Sequence, residues 1–284
     1  MGLRRDTLLF PEGRKKALTF SYDDAVTQDV RFLELLNGFG LKGTFNINTG
    51  LLGNQDHHTQ DGKTVTHYKL NPEEIPEVYA GQELAVHGLT HLDLAAVPTA
   101  TAAYEVMADR RNIEEITKAP VRGMAYPFGT YSEELLAVLR NCQIEYARTV
   151  AATGTFALPE DFLQWHPTCH HNDERLFALG ESFLKPVGDY RGPLLFYVWG
   201  HTYEFDVYDN WDRIETFMQR MSGHGEEIWY ATNQEICDYV NAAKQLRYSA
   251  NGRYVYNPTV HTIWFATGNE TIAVAPGETA ALKR

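Results

Sequence analysis

The feature that most constrains the fold is a repeated alternation of short β-like runs with amphipathic helical stretches. Residues 17–22 (Ala-Leu-Thr-Phe-Ser-Tyr) read as a strand ending at two carboxylates. Residues 26–39 then place Val30, Leu33, Leu36 and Phe39 at helical spacing, with Gly40 as the stop. Strands follow at 44–48, 83–86, 124–126, 146–150, 194–199 and 228–231. Between them, helices are expected after Asn71-Pro72 through Tyr79, at 99–118, from a Ser132 cap through Asn141, from Asn210 through Met221, and at 233–246. The Gly-, His- and Asp-containing stretch 53–67 reads as a loop or small hairpin. About seven strand–helix units imply a parallel sheet with helical crossovers, here a distorted (β/α) barrel over residues 1–246. Residues 247–284 change texture: β-like runs at 247–256, 260–266 and 271–275 are punctuated by Asn251-Gly252, Gly268-Asn269 and Pro276-Gly277. They predict a small antiparallel β appendage.

The 284 residues carry 25 Lys and Arg against 37 Asp and Glu, a net charge of −12. That charge, with no long basic run, argues against a nucleic-acid partner. No apolar run reaches the ~20 residues of a membrane span. The N-terminus lacks the apolar segment of a secretory signal, and Asp6 breaks a myristoylation pattern, so a cytoplasmic location is the expectation. Cys142, Cys169 and Cys237 are too few and too widely spaced for a disulfide framework, which agrees with a reducing compartment. Oligomeric state leaves no mark on the sequence.

In a parallel barrel, reactive side chains gather at the C-terminal ends of strands, and four clusters fall there. Asp23-Asp24 follows the first strand. One carboxylate can bind a metal while the other accepts a proton, although Asp24 could equally cap the next helix. His87-Gly88-Leu89-Thr90-His91 follows another strand. Histidines at i and i+4 of a helical turn project to one side as two imidazole ligands, or else pack half-buried against carbonyls. Ala125-Tyr126-Pro127-Phe128-Gly129 is a sharp turn that can aim a backbone N–H at an oxyanion, or a plain connection. His201, after the strand 194–199, can act as a general acid or serve the packing. Taken together, a carboxylate and two imidazoles form a facial ligand set for Zn2+ or a similar divalent ion, with base, oxyanion donor and acid alongside.

These clusters, in this order, resemble the polysaccharide deacetylases (carbohydrate esterase family four, the NodB-homology domain) from about residue 15 to 245. The family's Thr-Phe-Asp-Asp-Gly motif is Ser21-Tyr22-Asp23-Asp24-Ala25 here, and its His-Ser/Thr-x-x-His motif is His87-Gly88-Leu89-Thr90-His91. The Thr-Phe-Asn-Ile-Asn run at 44–48 looks like the family's second strand. The resemblance implies that Asp23 is the catalytic base, that Asp24, His87 and His91 ligate the metal, that the Phe128 N–H is the oxyanion donor, and that His201 is the acid. It implies a divalent metal, Zn2+ first, with Co2+, Ni2+, Mn2+ or Fe2+ as alternatives, and an acetylated carbohydrate as substrate. Three motifs depart from the family. Ala125 stands where the family has an arginine that tethers the base, and Arg148, after the next strand, is the candidate substitute. The fourth motif is weak, with 161–165 offering Asp161 and an aromatic wall at Trp165. The fifth keeps His201 without its leucine, as Val198-Trp199-Gly200-His201.

Tyr126, Pro127, Trp165, Trp199 and Arg148 complete the expected substrate-binding set, with Tyr203 a further stacking candidate. His57, His58, His67, His224 and His261 are read as bystanders, and Cys169-His170-His171 as surface or cleft lining. Two rivals to a metal-dependent carbohydrate deacetylase remain at this point. One is a hydrolase of small cyclic or linear amides on the same barrel. The other is a non-catalytic carbohydrate-binding protein on a decayed scaffold, motivated by the missing arginine.

Overall fold

The computed structural model describes residues 6–188, 192–268 and 270–282. Strand β1 (Asp6–Leu9) precedes β2 (Lys16–Asp23), α1 (Asp29–Gly38), β3 (Gly43–Ile47), the hairpin β4 (Gln55–Gln60) and β5 (Lys63–Tyr68), α2 (Ile75–Val78), β6 (Glu83–Val86) and α3 (Thr99–Thr117). Then come β7 (Gly123–Ala125), α4 (Glu133–Asn141), β8 (Tyr146–Arg148), β9 (Cys169–His170), α5 (Leu176–Leu184), β10 (Leu194–Gly200), α6 (Glu204–Val207), α7 (Trp211–Met221), β11 (Ile228–Tyr230) and α8 (Asn233–Lys244). The tail adds β12 (Arg247–Tyr248), β13 (Tyr254–Tyr256), β14 (Ile263–Thr267), β15 (Glu270–Val274) and β16 (Thr279–Ala281).

An eight-stranded sheet carries the site, in the order β8-β7-β6-β3-β2-β10-β9, with β11 also pairing β2. All its pairings are parallel. Strand β2 is flanked by β11 along its first half and β3 along its second, opposite β10, and all eight of its residues are buried. The opening between β8 and β9 is bridged by the connecting chain. Trp165 N–H donates to Ala147 O (3.0 Å), Thr149 N–H to Trp165 O (3.0 Å), and Thr168 N–H to Tyr197 O (2.9 Å) on β10. Trp165, 1% exposed, packs edge-on against Tyr146, Phe162 and Tyr197 and fills the seam. The result is a distorted (β/α) barrel.

Caps and turns set where the helices begin. Ser132 Oγ accepts Leu135 N–H (3.2 Å) ahead of α4, and Thr232 with Glu235 forms a capping box on α8. Helix α1 starts at Asp29, three residues later than its apolar pattern, because Asp24 (φ 89) and Ala25 (φ 52) hold the chain in the left-handed region. The helix α5 and strands β1 and β9 were not anticipated. Close packing inside the barrel has a testable consequence at Gly123. A Cβ there would land inside the Tyr146 ring, itself buried with its OH on Glu83. Gly123→Ala is expected to cost about 1–3 kcal/mol of unfolding free energy in a denaturant titration.

The tail forms two small antiparallel sheets, β12-β13-β16 and β1-β14-β15. The second is completed by β1, from the other end of the chain, in register Leu9↔Trp264. Tyr239 on α8 joins them further: its OH donates to Leu9 O (2.7 Å) and accepts Trp264 N–H (2.9 Å).

Candidate active site

The C-terminal ends of β2, β3, β6 and β10, with the turn after β7, surround a cavity of about 630 Å3. Asp23, Asp24, His87, His91, Tyr126, Phe128, Trp199 and His201 line it. They include members of all four clusters expected from sequence to carry chemistry, so the structure brings those clusters together.

Asp23, 3% exposed, is held from two sides. Asn46 on β3 donates from Nδ2 to Oδ1 (2.8 Å), and Arg148 on β8 pairs with Oδ2. Arg148 is fully buried and its guanidinium lies 4.6 Å from the Trp199 ring centroid. Burial alone would raise the Asp23 pKa, but Arg148, His87 and His201 outweigh it and hold the carboxyl below its ordinary range. His87 Nε2 and His201 Nε2 lie 3.7 and 3.8 Å from the same Oδ2.

Asp24, His87 and His91 place one donor atom each within 4.8 Å of one another. The His87–His91 segment is a turn rather than the expected helical turn: Gly88 (φ 75) and His91 (φ 58) are left-handed. Carboxylates on α3 hold it instead. Asp109 accepts His87 N–H (3.0 Å) and Thr49 N–H (2.8 Å), while Glu105 accepts the Thr90 N–H (2.8 Å) and hydroxyl (2.9 Å). His87 Nδ1 sits 2.9 Å from Ala125 O. The carbonyl can only accept, so Nδ1 carries the proton and Nε2 turns a lone pair to the cavity, which suits a metal ligand. Burial pushes His87 down to about 4, so it is neutral at neutral pH, as ligation requires. The donor set fits a divalent ion.

Behind His201 stands a carboxylate that the sequence analysis did not single out. Glu204 Oε2 accepts His201 N–H (3.2 Å) and lies 3.5 Å from His201 Nδ1 and 3.0 Å from His170 Nε2. His170 Nδ1 accepts Asn172 N–H (3.1 Å), which leaves the neutral ring's proton on Nε2 for Glu204. The fully buried His171 has Nε2 3.3 Å from the same oxygen, but neither of its ring nitrogens makes a hydrogen bond. His170, His171 and Glu204 also cluster closely enough to suggest a cation site, but the protonated Nε2 of His170 makes the hydrogen-bonded reading the better one. Burial lowers the His201 pKa and Glu204, Asp23 and Asp24 raise it, for a net rise to about 9.

The hairpin also contributes more than its sequence suggested. Asp56, His58, His67 and Lys69 all line the cavity, and the His58 and His67 rings pack on Tyr203 (4.9 and 4.8 Å). Other expected residues lie elsewhere. Trp165 is core, and Arg148 acts through Asp23 rather than lining the cavity. Pro127 is buried at the start of the turn, against the close-packed Gly88. Asp161 caps its own turn, accepting Leu163 N–H (2.9 Å), and pairs with Arg140. Phe128 is 62% exposed at φ 60, with its ring 4.7 Å from that of His91. Among the described residues no helix is long and apolar enough to cross a membrane.

The sequence model of the polysaccharide deacetylases matches residues 11–147. No curated protein matches the chain. Among solved structures, a Mycobacterium smegmatis protein assigned to the polysaccharide deacetylases is 18% identical, with a TM-score of 0.58 over 84% of this chain and 94% of that one. A Bacillus anthracis CE4-family pseudoenzyme is 16% identical, with a TM-score of 0.50 over 81% and 68%. The Streptococcus pyogenes deacetylase PplD, solved with acetate, is 19% identical with a TM-score of 0.40, and the chain spans about half of it (55%). At such identities the first two likenesses speak for the fold alone. The family match runs from before β2 into β8, so over that segment the chain is similar to the polysaccharide deacetylases, and it shares its barrel with the Mycobacterium smegmatis structure.

Proposed function

We propose that the protein is a metal-dependent hydrolase that removes N- or O-acetyl groups from a carbohydrate. The observation that carries this is one cavity in which Asp23, paired with Arg148, faces His201 at 3.8 Å while Asp24, His87 and His91 converge beside it. Asp24, His87 and His91 would hold the divalent ion, Zn2+ first among the candidates, whose Lewis acidity would polarise the acetyl carbonyl and acidify a water.

The rest of the chemistry belongs to the chain. Asp23 takes the proton from the attacking water, with its carboxylate oriented by Asn46 and Arg148. The Phe128 N–H donates to the oxyanion that develops on the carbonyl oxygen. His201, protonated and backed by Glu204, gives a proton to the departing amine or alkoxide, and acetate leaves. Phe128, Trp199 and Tyr203 offer faces for the sugar ring, whereas the expected Tyr126 is 1% exposed, packed on Tyr131 with its OH donating to Leu163 O (2.8 Å).

Arg148 in contact with Asp23 supports catalysis over a decayed scaffold, because the tether absent at Ala125 is supplied from the next strand. The test is acetate release from N-acetylglucosamine oligomers and acetylated xylan, run against a panel of small amides. Carbohydrate turnover exceeding that of every small amide is expected; the reverse would reassign the substrate class. Metal analysis accompanies it. Titrated with the ion, Asp24→Ala and His91→Ala should each fail to bind it at concentrations that saturate the wild type, and wild-type affinity in both would overturn the ligand set.

A further inference from the structure

Asp24 is paired with a basic side chain from the hairpin's exit. Lys69, just past the end of β5, donates from Nζ to Asp24 Oδ1 (3.0 Å) and to the Asp24 backbone carbonyl (2.7 Å). Its side chain is 5% exposed and that of Asp24 is 10% exposed. Asp24 Oδ2 lies 3.5 Å from His67 Nε2, so both carboxylate oxygens are faced by the hairpin's exit strand. The backbone contact matters because it anchors Nζ independently of the carboxylate. Asp24 is left-handed at φ 89, its N–H donates to Asn46 O (2.9 Å), and the lysine's own N–H donates to Asn54 O (2.8 Å). The ammonium is therefore built in from both ends.

We propose that Lys69 is a resident counter-cation that competes with the metal ion for Asp24, making the site a weakly binding, exchangeable one. The inference rests on the ligand set proposed above. Two adjacent buried carboxylates would be costly without positive charge nearby. Arg148 supplies it for Asp23, and Lys69 for Asp24, so each carboxylate has a basic side chain of its own. An arriving dication must share Asp24 with a fixed ammonium a few ångströms away, in surroundings of low dielectric where like charges repel strongly.

The experiment uses the full chain, stripped of metal with a chelator and titrated calorimetrically with ZnCl2 and with CoCl2. Lys69→Gln removes the charge but keeps a donor for the Asp24 carbonyl, Lys69→Met removes both, and Lys69→Arg keeps the charge. Lys69→Gln and Lys69→Met are expected to bind the ion at least tenfold more tightly than the wild type. Both should melt at a lower temperature without ion and gain more on its addition, while Lys69→Arg stays near the wild type. Equal or weaker binding in the neutral variants would overturn the proposal and make Lys69 a residue that orients Asp24 for the ion. An Asp24→Ala variant separates the two readings. If the wild type binds and Asp24→Ala does not, the ligand set stands whatever Lys69 does. If Asp24→Ala binds as tightly as the wild type, both fall.

Discussion

Arg148→Met is expected to lower the unfolding free energy by about 3–5 kcal/mol at neutral pH and to reduce hydrolysis to background. Arg148 is the fully buried partner of Asp23 and stacks on Trp199. Without it, a 3%-exposed carboxylate keeps only Asn46 and the two histidines. The sign of the pH dependence follows. In the wild type the folded Asp23 pKa is depressed, so its stabilisation is present above the unfolded value of about 3.9 and is lost as pH falls through the folded value. In the variant, burial acts with much less opposition and raises the pKa, so the penalty is full above that raised value, shrinks as pH falls through it, and is gone below the unfolded value of about 3.9. Urea titrations at pH 7.5 and pH 4 check this. A second substitution sharpens it: Asp23→Asn in the Arg148→Met background should recover much of the lost stability, because no charge is left unpaired, while hydrolysis stays absent for want of a base. If Arg148→Met unfolds at the same urea concentration as the wild type, the pair is not the electrostatic keystone described here.

How far the sequence revealed this site depends on how local each signal is. Asp23-Asp24 and His87-x-x-x-His91 were legible because each sits in a short motif directly after a strand, and the barrel brings strand ends together whatever the loops do. Arg148 was legible only as a candidate, since its pairing with Asp23 spans 125 residues and depends on the sheet order. Lys69 and His67 were passed over because their hairpin has no apolar periodicity, and its place against Tyr203 and Asp24 is a tertiary outcome. Trp165 misled in the opposite direction. An aromatic near a weak motif suggested a sugar platform, whereas the gap between β8 and β9 needed a large core side chain. Strand β1 went unread for a similar reason, its partner being β14 at the far end of the chain.

Glu204 had a local signal, an acidic residue three positions after His201, and it supports the second large effect. Glu204→Gln should cut kcat by up to about 100-fold near pH 8.5 while changing KM little, and should move the basic limb of the pH–rate profile downward. His201 is raised to about 9 because Glu204, Asp23 and Asp24 together outweigh a burial that by itself would lower it. An acid must be protonated to work, so with His201 as the proposed acid the wild type's activity is expected to persist until pH rises through about 9. With a neutral amide at 204 the largest supporting charge is gone while burial remains, opposed only by Asp23 and Asp24, which brings the imidazole down toward the ordinary histidine value of about 6.5. A group at about 6.5 is about 1% protonated at pH 8.5, which sets the hundredfold as the full extent of the expected loss. Stability follows the same linkage: a raised histidine pKa stabilises the fold fully below about 6.5 and loses that contribution as pH rises through about 9, so the wild type's advantage over the variant should narrow on the alkaline side. A variant that merely loosened α6 would lose activity by the same factor at every pH. Glu204→Asp, which keeps the charge on a shorter stem, should keep the basic limb near its wild-type position, whereas an unmoved limb in Glu204→Gln would take His201 out of the acid role or Glu204 out of its control.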